Sequence, residues 1–229
     1  MIPTAELPGY VEWDVRNWGV ALEFWTRHSH LDLASCDALE IGSRHGGLSL
    51  WLARHRARVV CSDIGPPSEV ARRKHADAGV AHRVRYQRID ARRIPYVGQF
   101  DLIVFKSVLG GIGRTAGLAA QAGAVAEMHK ALKPGGELFF AENLVASPVH
   151  RFLRRRFVEW SASWRYVAIE EMREFLAPFS EITYRTVGFA GVLGRTSGQR
   201  ALLGSLDRAL LDALVPERWR YVIVGVARK

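Results

Sequence analysis

Cysteine is almost missing from this chain: Cys36 and Cys61 are the only two in 229 residues. They form no Cys-x-x-Cys pair and join no short Cys/His cluster, which excludes a disulfide framework and a zinc site; no metal is expected. No apolar run approaches the ~18 residues needed to span a bilayer. The start, Met1-Ile2-Pro3-Thr4-Ala5-Glu6, lacks the basic-then-apolar pattern of a signal peptide. A reducing cytoplasm is the expected location, with any membrane contact peripheral, at the inner face. Acidic residues are the scarcer charge: 32 Lys and Arg stand against 23 Asp and Glu, a net +9. That balance favours acidic partners such as phosphorylated metabolites, nucleic acid or an anionic membrane, unless the arginines merely cover a solvated face.

With 48% hydrophobic residues, the chain can bury the core of one α/β domain spanning 1–229. Val20, Ala21, Phe24 and Trp25 recur at helical spacing within a helical cap over 1–35, placed over the sheet edge or the mouth of a site. Strands are expected at 37–42, 58–63, 83–90, 100–105 and 137–142, with two more at 181–187 and 221–226. Between them lie Gly46-Gly47 before an apolar helix, Pro66-Pro67 with Ser68 as a helix cap, and Leu118, Ala122, Val125, Met128 and Leu132 as one helical face. This alternation argues for a doubly wound, mostly parallel sheet with helical cap elements, whose ligands bind beyond the carboxyl ends of the strands. The core is expected over 36–142, with helical acceptor-side elements at 143–180 and 190–216.

Glu40-Ile41-Gly42-Ser43-Arg44-His45-Gly46-Gly47 is the first strand-to-helix turn. Glycines there let the backbone approach a ligand, while free N–H groups at the helix start face it. The spacing Gly42-x-x-x-Gly46 fails the dinucleotide fingerprint, and no Gly-Lys-Ser/Thr ends the turn as in a P-loop. Glu40 would repel a pyrophosphate but suits a cationic amino-acid moiety. Asp63 ends the second strand twenty-one residues after Gly42, where a carboxylate can accept both ribose hydroxyls, and Ile64 follows it. Asp90 ends the third strand, placed to accept from an adenine amine with the Ala91 N–H as a second contact.

These residues, in this order, resemble the class I S-adenosylmethionine-dependent methyltransferases of type 11. Leu39-Glu40-Ile41-Gly42-Ser43-Arg44-His45-Gly46 is similar to the family's first motif, Asp63 to its ribose acid and Ile89-Asp90-Ala91 to its adenine motif. Phe100-Asp101-Leu102-Ile103-Val104 resembles its fourth strand, and Leu132-Lys133-Pro134-Gly135-Gly136 its turn before strand five. The resemblance implies a seven-stranded Rossmann-like sheet with an antiparallel strand, for which 221–226 is the candidate. It also implies S-adenosyl-L-methionine as cofactor and S-adenosyl-L-homocysteine as product, held by Glu40, Gly42, Ser43, Arg44, Gly46, Asp63, Ile64, Asp90, Ala91 and Lys106. Arg44 departs from the pattern, since glycine is usual there. Its Cβ fits if φ is negative, with the guanidinium turned either to an anion or to solvent.

Methyl transfer is an in-line displacement, so alignment dominates, and a hydroxyl acceptor gains from a general base. Lys106, His45 and Glu142 are the catalytic candidates, with His150 also near a strand end. Lys106 suits an anionic acceptor, or serves as a base if burial lowers its pKa. In 147–157, Val149, Phe152, Leu153 and Phe157, with Trp160 beyond, form a stripe opposed by Arg151, Arg154 and Arg155. The favoured reading is a cap helix with the stripe packed inward and the arginines in water; the other is a basic amphipathic helix on a membrane or a phosphorylated acceptor. The stretch 105–113 resembles bacterial methyltransferases of surface-polysaccharide assembly. The expected reaction is O-methylation of a small-molecule or glycan-type acceptor, phosphorylated or lipid-linked. The alternatives are an RNA methyltransferase, disfavoured by the lack of an Asn/Asp-Pro-Pro-Tyr/Phe signature and of an RNA-binding motif, and a non-catalytic cofactor-binding partner subunit.

Overall fold

A computed structural model describes residue 3, residues 5–157 and residues 164–229. Seven strands form one sheet: β1 (Asp37–Ile41), β2 (Arg58–Asp63), β3 (Val84–Arg88), β4 (Phe100–Lys106), β5 (Leu132–Asn143), β6 (Glu181–Val187) and β7 (Val222–Arg228). Their order is β3-β2-β1-β4-β5-β7-β6. The first five run parallel, and β7 lies antiparallel between β5 and β6. All seven expected strands are present. The last is the antiparallel one, as the resemblance implies. β5 begins earlier than expected because Leu132 pairs with Phe100 before the Pro-Gly-Gly turn shifts the register to Leu102 opposite Glu137.

The helices follow the loops. They are α1 (Leu7–Val11), α2 (Val15–Trp18), α3 (Val20–His28), α4 (Gly47–Arg54), α5 (Glu69–Asp77), α6 (Leu109–Ala131), α7 (Pro148–Phe157), α8 (Ile169–Leu176), α9 (Ser197–Leu206) and α10 (Asp212–Leu214). A π-helical turn at Asp207–Leu211 joins the last two. Ser68 Oγ accepts from the Ala71 N–H, which is why α5 starts there.

Strand alternation sends successive side chains of β5 to opposite faces, so Phe139 and Phe140 serve two separate cores. On the first face Trp25 of α3 stacks on Phe139, with ring centroids 5.5 Å apart, and its indole N–H donates to the Gly225 carbonyl at 3.0 Å. On the second, Val125 and Met128 of α6 pack with Phe105 and Phe140. Leu118 is exposed and Leu132 belongs to β5, so the buried stripe of α6 is shorter than the helical spacing predicts.

Two helical segments turn apolar side chains outward, α7 against the expected inward packing of its stripe. On α7 the apolar Val149, Phe152 and Phe157 are exposed, whereas His150 and Arg154 are buried. On α9 and α10, Leu206, Leu210 and Leu214 are exposed, whereas Asp207 and Asp212 are buried. The polar groups turn inward because backbone groups meet them. His150 Nε2 is 2.8 Å from the Phe189 carbonyl, and Arg154 Nη1 donates to the Leu144 and Val145 carbonyls at 2.8 and 3.1 Å. Trp160 of the expected stripe lies outside the described residues.

Candidate active site

The site lies at the carboxyl ends of β1 and β4, where a parallel doubly wound sheet leaves a crevice. Gly42 ends β1 with φ +68°, and a Cβ there would lie 2.5 Å from Val108 Cγ2, so the turn demands glycine. Arg44 also has positive φ, +49°, contrary to the negative φ expected of a residue with Cβ. Its N–H donates to Asp63 Oδ2 at 2.8 Å, and that bond holds the turn in the left-handed region. Among the described residues Asp63 Oδ1 keeps only a long contact with the Gly65 N–H, at 3.4 Å, and so has lone pairs to offer a hydroxyl.

Glu40 is buried beneath the turn and accepts from the Ser49 N–H at 2.8 Å and from the Ser49 hydroxyl, tying β1 to α4. Burial pushes its carboxyl up to about 7, against those hydrogen bonds. Lys106, ending β4, places its ammonium 4.8 Å from the centre of the Trp18 ring. Burial holds its pKa below the usual lysine range; Arg44 adds to the lowering, while Glu12, Glu142 and Glu40 oppose it.

Glu40, Gly42, Ser43, Arg44 and Lys106 line one cavity of about 680 Å³. Tyr10, Glu12, Trp13 and Trp18 from the amino-terminal segment complete it on one side, and Ser107, Asn143 and Trp164 on the other. Asn143 stands at the end of the fifth strand and Ser107 follows Lys106, both on the acceptor side of the sheet, but the sequence singled out none of the other five as site residues. The signal was the density of tryptophan before residue 26 and the glycines after residue 109: a Cβ on Gly110 would overlap the Trp164 indole. The amino-terminal segment lies directly on the turn, since a Cβ on Gly47 would meet the Tyr10 carbonyl at 2.2 Å. Asn143 Nδ2 donates to Ser107 Oγ at 2.6 Å across the cavity floor.

The other candidates fall outside the lining. His45 Nδ1 faces Glu12 at 3.0 Å, where Lys74 also meets Glu12 at 3.3 Å. Glu142, expected among the catalytic residues, braces a helix start: Oε2 accepts from the N–H groups of Val108 and Leu109, and Oε1 from that of Asn143. Burial raises its carboxyl to about 7. His150 is committed to Ser147 and Phe189. Gly46, with φ +68°, packs against His75. Ile64 stands exposed after Asp63, fit to cover a flat ring. Asp90 and Ala91 lie just beyond β3, which ends at Arg88, and Arg92 Nε and Nη2 grip the Asp90 carboxylate at 3.0 and 2.6 Å. No group of metal-ligating side chains exists among the described residues.

The glycine turn and Lys106 thus share one cavity at the carboxyl ends of a doubly wound sheet, and the Asp63 carboxylate is hydrogen-bonded to that turn. The family profile described as "Methyltransferase domain" matches residues 39–140. Over that span, a little under half of its length, the chain is similar to methyltransferase domains. The cradle at Gly42 and the Asp63 carboxylate fit S-adenosylmethionine.

Comparison with curated proteins gives no significant match. Among solved structures, phosphoethanolamine N-methyltransferase 2 of Haemonchus contortus, in complex with S-adenosyl-L-methionine, superposes with a TM-score of 0.64 at 17% identity, over 99% of this chain and 57% of that one. The same enzyme with phosphomonomethylethanolamine and S-adenosylhomocysteine gives 0.63 at 18% identity, over 93% and 52%. This chain thus spans little more than half of the worm enzyme. The [4+2]-cyclase SpnF gives 0.57 at 19%, over 85% and 74%. At such identities the likeness concerns the fold, which evidently hosts more than one chemistry.

Proposed function

We propose that the chain transfers the methyl group of S-adenosylmethionine to an oxygen of a small anionic acceptor, a glycan-type molecule bearing phosphate or carboxylate. One observation carries this reading: the Lys106 ammonium stands in the same cavity as the glycine turn, backed by Trp18. Bound S-adenosylmethionine supplies an electrophilic methyl group and leaves as S-adenosylhomocysteine. Gly42, Ser43 and Arg44 line the donor's end of the cavity, and Asp63 accepts from its ribose. Glu40 adds negative charge beneath the amino-acid end.

Lys106 binds the acceptor's anionic group and aligns an oxygen with the methyl carbon. The fraction of Lys106 that is neutral, enlarged by burial, can take the proton of a hydroxyl acceptor. Trp13, Trp18 and Trp164 wall the cavity. Glu142 is not part of this chemistry, because backbone N–H groups occupy it.

The worm enzyme's complex with phosphomonomethylethanolamine supports a small phosphorylated acceptor and also favours a second reading, methylation of an amine. The purified chain with labelled donor is to be offered a sugar phosphate, a sugar acid and phosphoethanolamine. Labelled methyl on oxygen of either sugar supports the proposal. Labelled amine product selects the second reading, and donor binding without turnover on any extract fraction selects a non-catalytic subunit.

A further inference from the structure

The two outward-turned segments share one support. The loop 188–191 receives His150 of α7 at the Phe189 carbonyl, 2.8 Å away. The same loop donates its Ala190 and Gly191 N–H groups to Asp207, at 2.7 and 2.8 Å, and its Gly188 N–H to Asp212 at 2.9 Å. Their polar side chains are thereby committed to a common anchor, and their apolar ones are left outside.

On the outside, Phe152 is 60% and Val149 55% exposed, beside exposed Arg151, Arg155 and Arg156. On α9 and α10, Leu202, Leu206, Leu210 and Leu214 recur every fourth residue, from 44% to 72% exposed. A row at that spacing forms a continuous apolar ridge along a helix. Charge decides what covers it. Pro148–Phe157 contains no acid, and the acids between 195 and 214, Asp207 and Asp212, are the buried ones. The outward face therefore carries apolar, cationic and neutral polar side chains and no acid from its own segments; beside it, Glu23 of α3 pairs with Arg208 at 3.1 Å. A second copy would bring like charges together, and the leucine ridge has no use in gripping RNA.

We propose that α7 and the α9–α10 ridge form a docking surface for an anionic lipid bilayer. Phe152, Val149 and the leucines enter the acyl boundary, and the arginines lay their alkyl stems along it with the guanidinium groups on lipid phosphates. The surface adjoins the mouth of the active site, because Arg200 of α9 stands over Trp13, 5.9 Å from its ring centre. Docking thus presents the cavity to acceptors carried at the membrane face.

The full chain is to be sedimented with vesicles of phosphatidylcholine alone and of phosphatidylcholine with phosphatidylglycerol. The expected result is pelleting with the anionic vesicles only, weakened by salt. Each arginine at an anionic surface is worth about fivefold in partition, so the combined Arg151→Gln, Arg155→Gln and Arg156→Gln variant loses about a hundredfold. The Leu206→Ser, Leu210→Ser variant also loses binding, while both variants keep the thermal melt and donor affinity of the parent chain. Absence of pelleting with anionic vesicles, or equal pelleting of parent and variants, overturns the proposal. So does a dimer that Leu206→Ser, Leu210→Ser abolishes in a chain that ignores vesicles.

Discussion

Arg44 combines a left-handed backbone, φ +49°, with a place in the cavity lining, and replacement separates the two. A residue with Cβ costs about 1–2 kcal/mol in that conformation, and glycine avoids this cost. Glycine is more disordered in the unfolded chain, by roughly 0.5–1 kcal/mol. Arg44→Gly should therefore stabilise the fold by about 0.5–1 kcal/mol, which for a chain of this size is roughly 2–4 °C per kcal/mol in Tm. Arg44→Ala keeps the strained backbone and should give no gain. Both variants delete the guanidinium. If it holds an anion, a charge-assisted hydrogen bond of about 1.5–3 kcal/mol disappears, and binding weakens roughly 10- to 150-fold. Differential scanning fluorimetry measures the first effect, and titration calorimetry with S-adenosylmethionine, followed by KM for an active acceptor, measures the second. Equal melting of the Arg44→Gly and Arg44→Ala variants would refute the strain argument. Unchanged donor affinity and acceptor KM in both would place the guanidinium in solvent. The strained turn is functional only if Arg44→Gly melts higher than the parent chain and binds worse.

Gly42→Ala adds a Cβ 2.5 Å from Val108 Cγ2 at φ +68°, and strain plus overpacking should cost about 2–4 kcal/mol in urea unfolding; less than about 1 kcal/mol contradicts the geometry. Lys106→Met keeps the packing on Trp18 but removes the charge, so kcat/KM for an anionic acceptor should fall on the order of a hundredfold while donor affinity stays within a few-fold; an unchanged kcat/KM removes Lys106 from the acceptor site. Glu142, raised to about 7 from 4.5, binds its proton more tightly in the folded chain, so its contribution is complete below about pH 4.5 and is lost as pH rises through about 7. The buried His75 and His150, whose pKa values burial lowers, act in the opposite sense, so the comparison is made by difference. The melting temperature of Glu142→Gln minus that of the parent should grow from about pH 5 to about pH 7 and then level; a flat difference means the carboxyl is not raised.

The strands were legible because parallel strands buried on both faces leave short apolar runs, and the acids at their ends, Asp63 and Asp90, mark the same edge of the sheet. The glycine turn was legible for a similar reason: Gly42 answers to a steric demand of its own position. Less visible were contacts that depend on distant chain. Trp13, Trp18 and Trp164 reach the cavity from distant parts of the sequence, and the tryptophan density before residue 26 and the glycines after residue 109 hint at aromatic packing without saying that the two meet. Asp90 differs, since its competitor Arg92 is only two residues away: a strand-end acid is open to a ligand only to the extent that its neighbours leave it so.

The helices with outward apolar faces show where periodicity stops being sufficient. An amphipathic stripe is assigned to the interior on the assumption that the opposite, polar face has only water to satisfy it. In α7 and in α9–α10 that assumption fails, because carbonyls at 144, 145 and 189 and N–H groups at 188, 190 and 191 offer partners with directed lone pairs and hydrogens. A buried arginine or aspartate is costly only when unpaired, and here the loops supply the pairs. Leucine and phenylalanine are then released to the outside, at a cost that a lipid surface would recover. The orientation of an amphipathic helix is thus set by which face finds the more specific partner, and the exposed stripe is evidence about what lies outside the chain.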